Sequence, residues 1–208
     1  MFTGIVEELG VVAGMDLGAA SARITVRGPV VTDGARRGDS IAVNGICLTV
    51  VDRPTPDTFT ADVMQETLSR TSLRGLTAGA RVNLERPVAA NGRFGGHVVQ
   101  GHVDGVGTVL QRVPGENWDL VRIAVPSDLA RYVALKGSLA VDGVSLTVAG
   151  VDDDAEPDGA TVVTVSLIPE TLTRTTLGLR RQGEPVNLEV DVLAKYVERM
   201  LTRREVPA

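Results

Sequence analysis

Cysteine is nearly absent from this chain. Cys47 stands alone among 208 residues, so no disulfide can form within it, which fits a reducing compartment. Aromatic residues make up only 3 %. A planar ligand would therefore be held by backbone groups and small side chains, because a wall of stacked rings is not available. Basic residues are not in excess: the net charge is −5, which argues against a nucleic-acid surface, since that would want a basic stripe. No apolar run approaches the length of a membrane span, and no basic stretch followed by an apolar run opens the chain, so neither a membrane segment nor a signal peptide is expected. These gaps leave a soluble cytoplasmic protein. What is plentiful is glycine, with 23 residues, alongside many valines and threonines, a mixture that suggests short strands and tight turns.

The sequence is one module written twice. FTGIVEELGVV (2–12) aligns with VQGHVDGVGTV (99–109), placing Gly4 on Gly101, Val6 on Val103 and Gly10 on Gly107. VNGICLTV (43–50) aligns with VDGVSLTV (141–148), which matches Asn44 with Asp142, Cys47 with Ser145 and Thr49 with Thr147. ETLSRTSL (66–73) recurs as ETLTRTTL (170–177), and GARVNLE (79–85) as GEPVNLE (183–189). Four blocks in the same order at similar spacing identify a duplication. Both histidines, His97 and His102, fall in the stretch Asn91–Gly105 at its seam. Residues up to about His97 are expected to close the first unit. Gly101 then opens the second as Gly4 opened the first, and His102 takes the place of Ile5.

Within each copy the signals are mostly strand. Segments 22–26, 40–43, 47–51 and 59–63 are short, β-branched and bounded by turn formers. Asn44-Gly45 and Asp142-Gly143 between apolar runs predict tight hairpins. ETLSRTSL and its partner predict short helical turns. Pro-Ser-Asp ahead of 127–134 predicts another with a good N-terminal cap. Roughly six strands per copy suggest a small antiparallel barrel whose closure removes the edges. The acidic run 151–159 lacks the glycine and glutamate spacing of a calcium loop and reads as a solvated hairpin loop matching 52–58. The tail differs from the repeat. Val190, Leu193, Ala194, Val197, Met200 and Leu201 follow helical spacing, with Glu198, Arg199, Arg203 and Arg204 on the other face. Such a helix either packs back on a barrel or meets copies of itself.

His97 and His102 invite a metal, but no close ligand pair with zinc spacing exists, and along a strand the two would face opposite sides. Cys47 could be a nucleophile or a small buried thiol. Its match with Ser145 points instead to small polar groups in matching ligand pockets. Thr49 and Thr147 share the faces of Cys47 and Ser145, and polar groups buried there would need partners that a hydroxyl- or carbonyl-rich ligand could supply.

Taken in order, MFTGIVE, NGICLTV, GGHVVQGHVDG, DGVSLTV and NLEVDVLAKYVER resemble the riboflavin synthases of the alpha-chain type from Met1 to about Arg199. The resemblance implies a mainly β fold of two tandem six-stranded Greek-key-like barrels, residues 1–97 and 98–189, followed by an oligomerisation helix and tail, 190–208. It implies a homotrimer with each active site between the N-terminal barrel of one subunit and the C-terminal barrel of a neighbour. Two molecules of 6,7-dimethyl-8-ribityllumazine would bind per site and dismutate by four-carbon transfer to riboflavin and 5-amino-6-ribitylaminouracil, with no metal and no organic cofactor. Association with lumazine synthase stays open.

Carried over by position, one pocket would use Gly4, Ile5 and Val6 with Cys47, Leu48, Thr49 and the run Ala61, Asp62, Val63, Met64, Gln65, Glu66. The other would use Gly101, His102 and Val103 with Ser145, Leu146, Thr147 and the run Val165, Ser166, Leu167, Ile168, Pro169, Glu170, and Lys136 would reach into a shared site. The resemblance offers His97, His102, Ser40, Cys47 and Asp142 for proton transfer, and Phe2 as the aromatic able to touch a ring. Two rivals are a lumazine-carrying antenna protein, in which the second site would be lost, and a flavin oxidoreductase, which would carry a nicotinamide-binding βαβ unit. The retained Cys47/Thr49 and Ser145/Thr147 pairs oppose the first. No such unit is present for the second.

Overall fold

A computed structural model describes residues 1–153, 155 and 160–202. The first half forms six strands: β1 (Glu8–Leu17), β2 (Ser21–Arg27), β3 (Ser40–Val43), β4 (Ile46–Asp52), β5 (Thr58–Met64) and β6 (Arg81–Glu85). The second half repeats them as β7 (Gly105–Pro114), β8 (Asp119–Val125), β9 (Ser138–Val141), β10 (Val144–Asp152), β11 (Thr161–Leu167) and β12 (Pro185–Val190). Each set closes into an antiparallel barrel, in the order β1-β2-β5-β4-β3-β6 and, position for position, β7-β8-β11-β10-β9-β12. The expected barrels are therefore present.

Closure follows from alternation. Along β8, Val121, Ile123 and Val125 are buried while Leu120, Arg122 and Ala124 are less so, the period-two pattern of a strand with one face on a core. The hairpins Asn44-Gly45 and Asp142-Gly143 hold positive φ at both residues, 46° and 76° in the first and 46° and 77° in the second. That is the turn whose twist matches paired strands. Each barrel carries matched register breaks, at Val12/Gly14 and Val50/Asp52 in one and Val109/Gln111 and Val148/Gly150 in the other. Such bulges add the twist a small barrel needs.

The short helices are α1 (Pro29–Thr32), α2 (Gln65–Arg70), α3 (Ser127–Ala130) and α4 (Pro169–Arg174). The helix expected over 127–134 stops at Ala130, and no side chain caps its start. The tail forms α5 (Val192–Thr202). Val190, expected on its stripe, instead ends β12 and is buried in the second core. The polar side of α5 faces its own chain: Lys195 donates to Asp104 at 2.6 Å, and Glu198 meets Arg131 at 3.2 Å and accepts from the Tyr132 hydroxyl. Leu193, Tyr196, Val197, Met200 and Leu201 are each more than half exposed. Residues 154 and 156–159 of the acidic loop, and Arg203 and Arg204, lie outside the described residues.

The barrels meet about a pseudo-two-fold axis. Phe2 and Val99 pair antiparallel through two backbone bonds of 2.7 and 3.1 Å, and a small apolar cluster of Phe2, Ala42, Val99 and Ala140 fills the space between the barrels. Each member has its repeat-mate in the same cluster. Around it, Asn83 donates to the Asp142 carbonyl at 2.8 Å and Asn187 donates to the Asn44 carbonyl at 2.9 Å, so each hairpin is tied to the other barrel.

Candidate active site

On β4, Leu48 and Val50 point into the first core, which leaves Cys47 and Thr49 on the outer face. On β10, Leu146 and Val148 are core, and Ser145 and Thr147 are outside. Thr49 and Thr147 are exposed, so they are open to a ligand rather than buried and short of a partner. Ser40 sits opposite Thr49 on β3 and is half-buried.

The leading segments cross over. The Cys47 amide donates to the Gly101 carbonyl at 2.8 Å, and the Ser145 amide donates to the Gly4 carbonyl at 2.8 Å. Val103 packs on the first core and Val6 on the second. This corrects the expected grouping: Gly4, Ile5 and Val6 line the second barrel's outer face, and Gly101, His102 and Val103 line the first's. The cause is the Phe2–Val99 bridge, which runs the two segments side by side and delivers each to the opposite barrel. Both glycines are required, with φ of +74° at Gly4 and +78° at Gly101. A Cβ on Gly101 would lie 2.6 Å from the Cys47 Cβ, and one on Gly4 would lie 2.6 Å from the Ser145 Cβ.

On the first barrel this arrangement encloses a cleft of about 290 Å³ between Cys47, Met64, Glu66, Gly101, His102 and Val103. Thr67, Arg70 and Thr71 of the α2 region also line it. The repeat marks them in the sequence, since Thr171, Arg174 and Thr175 recur at the same places, but the resemblance does not offer them. Arg70 holds Glu66 at 3.1 Å, as Arg174 holds Glu170 at 3.2 Å.

The second barrel's face differs in what covers it. His97 lies over it and shares a 2.7 Å hydrogen bond between its Nδ1 and the Ser145 Oγ. Its Nε2 is buried with no hydrogen-bond partner among the described residues. Burial holds the imidazole below its ordinary value, with Asp191 opposing, so the neutral form is favoured. His97 thus reaches the second barrel rather than closing the first, and His102 goes to the Cys47 cleft.

Other expected residues are placed differently. Asp142 is fully buried away from both faces, accepts from the Asn187 amide at 2.8 Å and pairs with Arg180 at 2.6 Å. Burial pushes its carboxyl up, with Arg180 opposing. Phe2 is also fully buried behind the glycine walls, where no ligand ring can meet it within the chain. Ala61, Val63, Val165 and Leu167 point into the cores, because strand side chains alternate. Only their backbones can face a ligand. Asp62 is exposed and held by Arg23 at 2.7 Å. Gln65, Ser166, Ile168, Pro169 and Glu170 are exposed around the starts of the short helices. Lys136 is exposed at φ 65°, where the first copy has Gly38 at φ 92°. A side chain held in that region costs about 1 kcal/mol or more, and such strain tends to be kept at functional places.

Residues 3–87 and 100–191 match the lumazine binding domain. A riboflavin synthase of Mycobacterium tuberculosis is 56% identical over 201 residues, covering 97% of this chain and 98% of its own. The chain belongs to the riboflavin synthase family. The riboflavin synthase of Bacillus subtilis is 45% identical over 201 residues, covering 97% of this chain and 90% of its own. Among solved structures, LumP complexed with 6,7-dimethyl-8-(1'-D-ribityl) lumazine superposes with a TM-score of 0.80 at 26% identity, covering 91% of this chain and 99% of that one.

Proposed function

We propose that this protein is a riboflavin synthase that dismutates two molecules of 6,7-dimethyl-8-ribityllumazine to riboflavin and 5-amino-6-ribitylaminouracil. The observation that carries this reading is the paired outer face: Cys47 under the Gly101 carbonyl and Ser145 under the Gly4 carbonyl. A reaction that joins two copies of one substrate is served by two matching half-sites. Holding both substrates in register turns a bimolecular encounter into an effectively unimolecular one. The backbone at each glycine wall suits the dione edge of the lumazine. Thr49, Thr147 and the α2 and α4 hydroxyls suit the ribityl chain.

The reaction needs a proton from the C7 methyl of one lumazine. His97 is the stronger candidate to receive it, since burial favours its neutral form and its Nε2 is left to a ligand. His102 and Cys47 serve the other half-site. Asp142 keeps the barrels together, and Phe2 supports the walls from behind.

A lumazine carrier is the second reading, favoured by the likeness to LumP. Against it, both faces keep their polar pairs, and identity to the Mycobacterium tuberculosis riboflavin synthase is about twice that to LumP. We assign residues 1–97 and 98–190 to two lumazine-binding barrels, Val190 closing the second rather than opening the tail, and 191–208 to an assembly tail. The tail joins subunits into a homotrimer through the exposed stripe of α5. Within it the N-terminal half-site of one subunit faces the C-terminal half-site of the next. The proposed setting is the cytoplasm, where the lone Cys47 stays a thiol. Incubating the protein with the lumazine and following riboflavin formation tests the reading. Tight binding without turnover would replace it with the carrier.

A further inference from the structure

The fourth repeated block, VNLE, has an alternation of its own. On β6, Val82 and Leu84 are core residues, and Asn83 and Glu85 face the other barrel. On β12, Val186 and Leu188 are core, and Asn187 and Glu189 face back. The asparagines tie the hairpins together, as described above. The glutamates do something else. Glu85 accepts from the Thr3 amide at 2.7 Å, the Thr3 hydroxyl at 2.9 Å and the Gly4 amide at 3.1 Å. Glu189 accepts from the Gln100 amide at 2.6 Å and the His102 amide at 2.8 Å. Both carboxylates are almost wholly buried, at 5% and 3% exposure. A buried carboxylate is retained only where its lone pairs are satisfied, and here backbone amides of a pocket wall satisfy them.

The connectivity is crossed. Glu189 belongs to the second barrel, but the segment it grips carries Gly101 and His102 onto Cys47 of the first. Glu85 belongs to the first barrel, but the segment it grips carries Gly4 onto Ser145 of the second. We infer that Glu85 and Glu189 are positioning residues that act crosswise, the carboxylate of each barrel fixing the wall of the half-site on the other. The inference rests on the reading of those faces as half-sites, and its test has a readout that does not depend on turnover.

A glutamine at either position keeps one acceptor oxygen but turns an NH₂ toward a backbone N–H, so one wall amide loses its partner. Cys47 is the single thiol and lies directly under the wall held by Glu189, so its reaction with a disulfide reagent such as 5,5′-dithiobis(2-nitrobenzoate) reports chiefly on that wall. Glu189→Gln should speed Cys47 labelling by about tenfold, the equivalent of one lost charge-assisted hydrogen bond, while Glu85→Gln leaves it at the wild-type rate. Both variants should lower kcat for riboflavin formation, and Glu189→Asp should fall between wild type and Glu189→Gln in labelling. Equal labelling in the two glutamine variants, or no change in Glu189→Gln, overturns the inference. So does loss of the folded state in both Glu189 variants, which would make Glu189 a structural residue only. Failure of the wild-type protein to form riboflavin would instead count against the proposed function and leave the labelling pattern to stand or fall separately.

Discussion

Replacing Gly101 with alanine would ask two things of the backbone at once. The new Cβ must accept φ of +78°, and it must displace Cys47, whose Cβ would lie 2.6 Å away. Gly34 has a similar φ of +74° with open space around it. Gly34→Ala should therefore cost about 1 to 2 kcal/mol from φ alone. Gly101→Ala should cost more and also weaken riboflavin binding, as thermal melts and fluorescence titration would show. His97 supports a second residue-level prediction. Its pKa is lowered by burial from an ordinary 6.5, so the folded chain keeps it neutral where the unfolded chain would protonate it. The stability linked to it is present in full above about pH 6.5 and is lost as the pH falls through the lowered value. His97→Gln should flatten that acid-side loss in urea unfolding measured from about pH 7 down to about pH 5.

At the scale of elements, the two hairpins at the pseudo-two-fold axis are alike in backbone and unlike in charge. Asn44 corresponds to Asp142, and Leu76 aligns with Arg180. At these positions the second copy has a buried ion pair of 2.6 Å, where the first has an amide and an apolar residue in its sequence. Arg180→Leu should destabilise by about 3 to 5 kcal/mol, because it leaves Asp142 buried without its partner. Adding Asp142→Asn, which removes the unpaired buried charge and restores the first copy's residue types, should recover most of that loss in urea unfolding. A double variant no better than Arg180→Leu alone would refute the account. The hairpins themselves were legible in sequence, because Asn-Gly and Asp-Gly between apolar runs name their turn. Four strands were legible too, at 22–26, 40–43, 47–51 and 59–63, each within a residue of its end, because alternation is a local property. The short reach of α3 was not, since Pro-Ser-Asp marks a start and says little about length.

At the scale of the molecule, the duplication and the barrel count could be read from four repeated blocks, but the crossed walls could not. An alignment of two copies matches Gly4 with Gly101 whether each segment covers its own barrel or the other. The pairing of Phe2 with Val99 decides it, and that contact spans nearly half the chain. Asp142 and Phe2 were drawn to the pocket by resemblance, whereas their burial places them at the axis. The tail was left between two fates, and α5 now shows its charged side turned inward and its apolar stripe outward. Truncation after Asp191 should leave Val190 and both barrels intact. It should abolish the proposed trimer in sedimentation, keep riboflavin binding and lower activity by about a hundredfold or more, because the half-site proposed to face it would be lost. A truncated chain that remains a fully active trimer would rule out this role for α5.

The axis through Phe2 and Val99 has one more consequence. In a true two-fold dimer of identical chains, any substitution appears on both sides of the axis together. Here the two sides are written separately in one chain, so each can change alone. Ile5 stands across from His102, Cys47 from Ser145 and Asn44 from Asp142. Joining the halves thus removes the symmetry that would oblige them to treat two identical substrates identically.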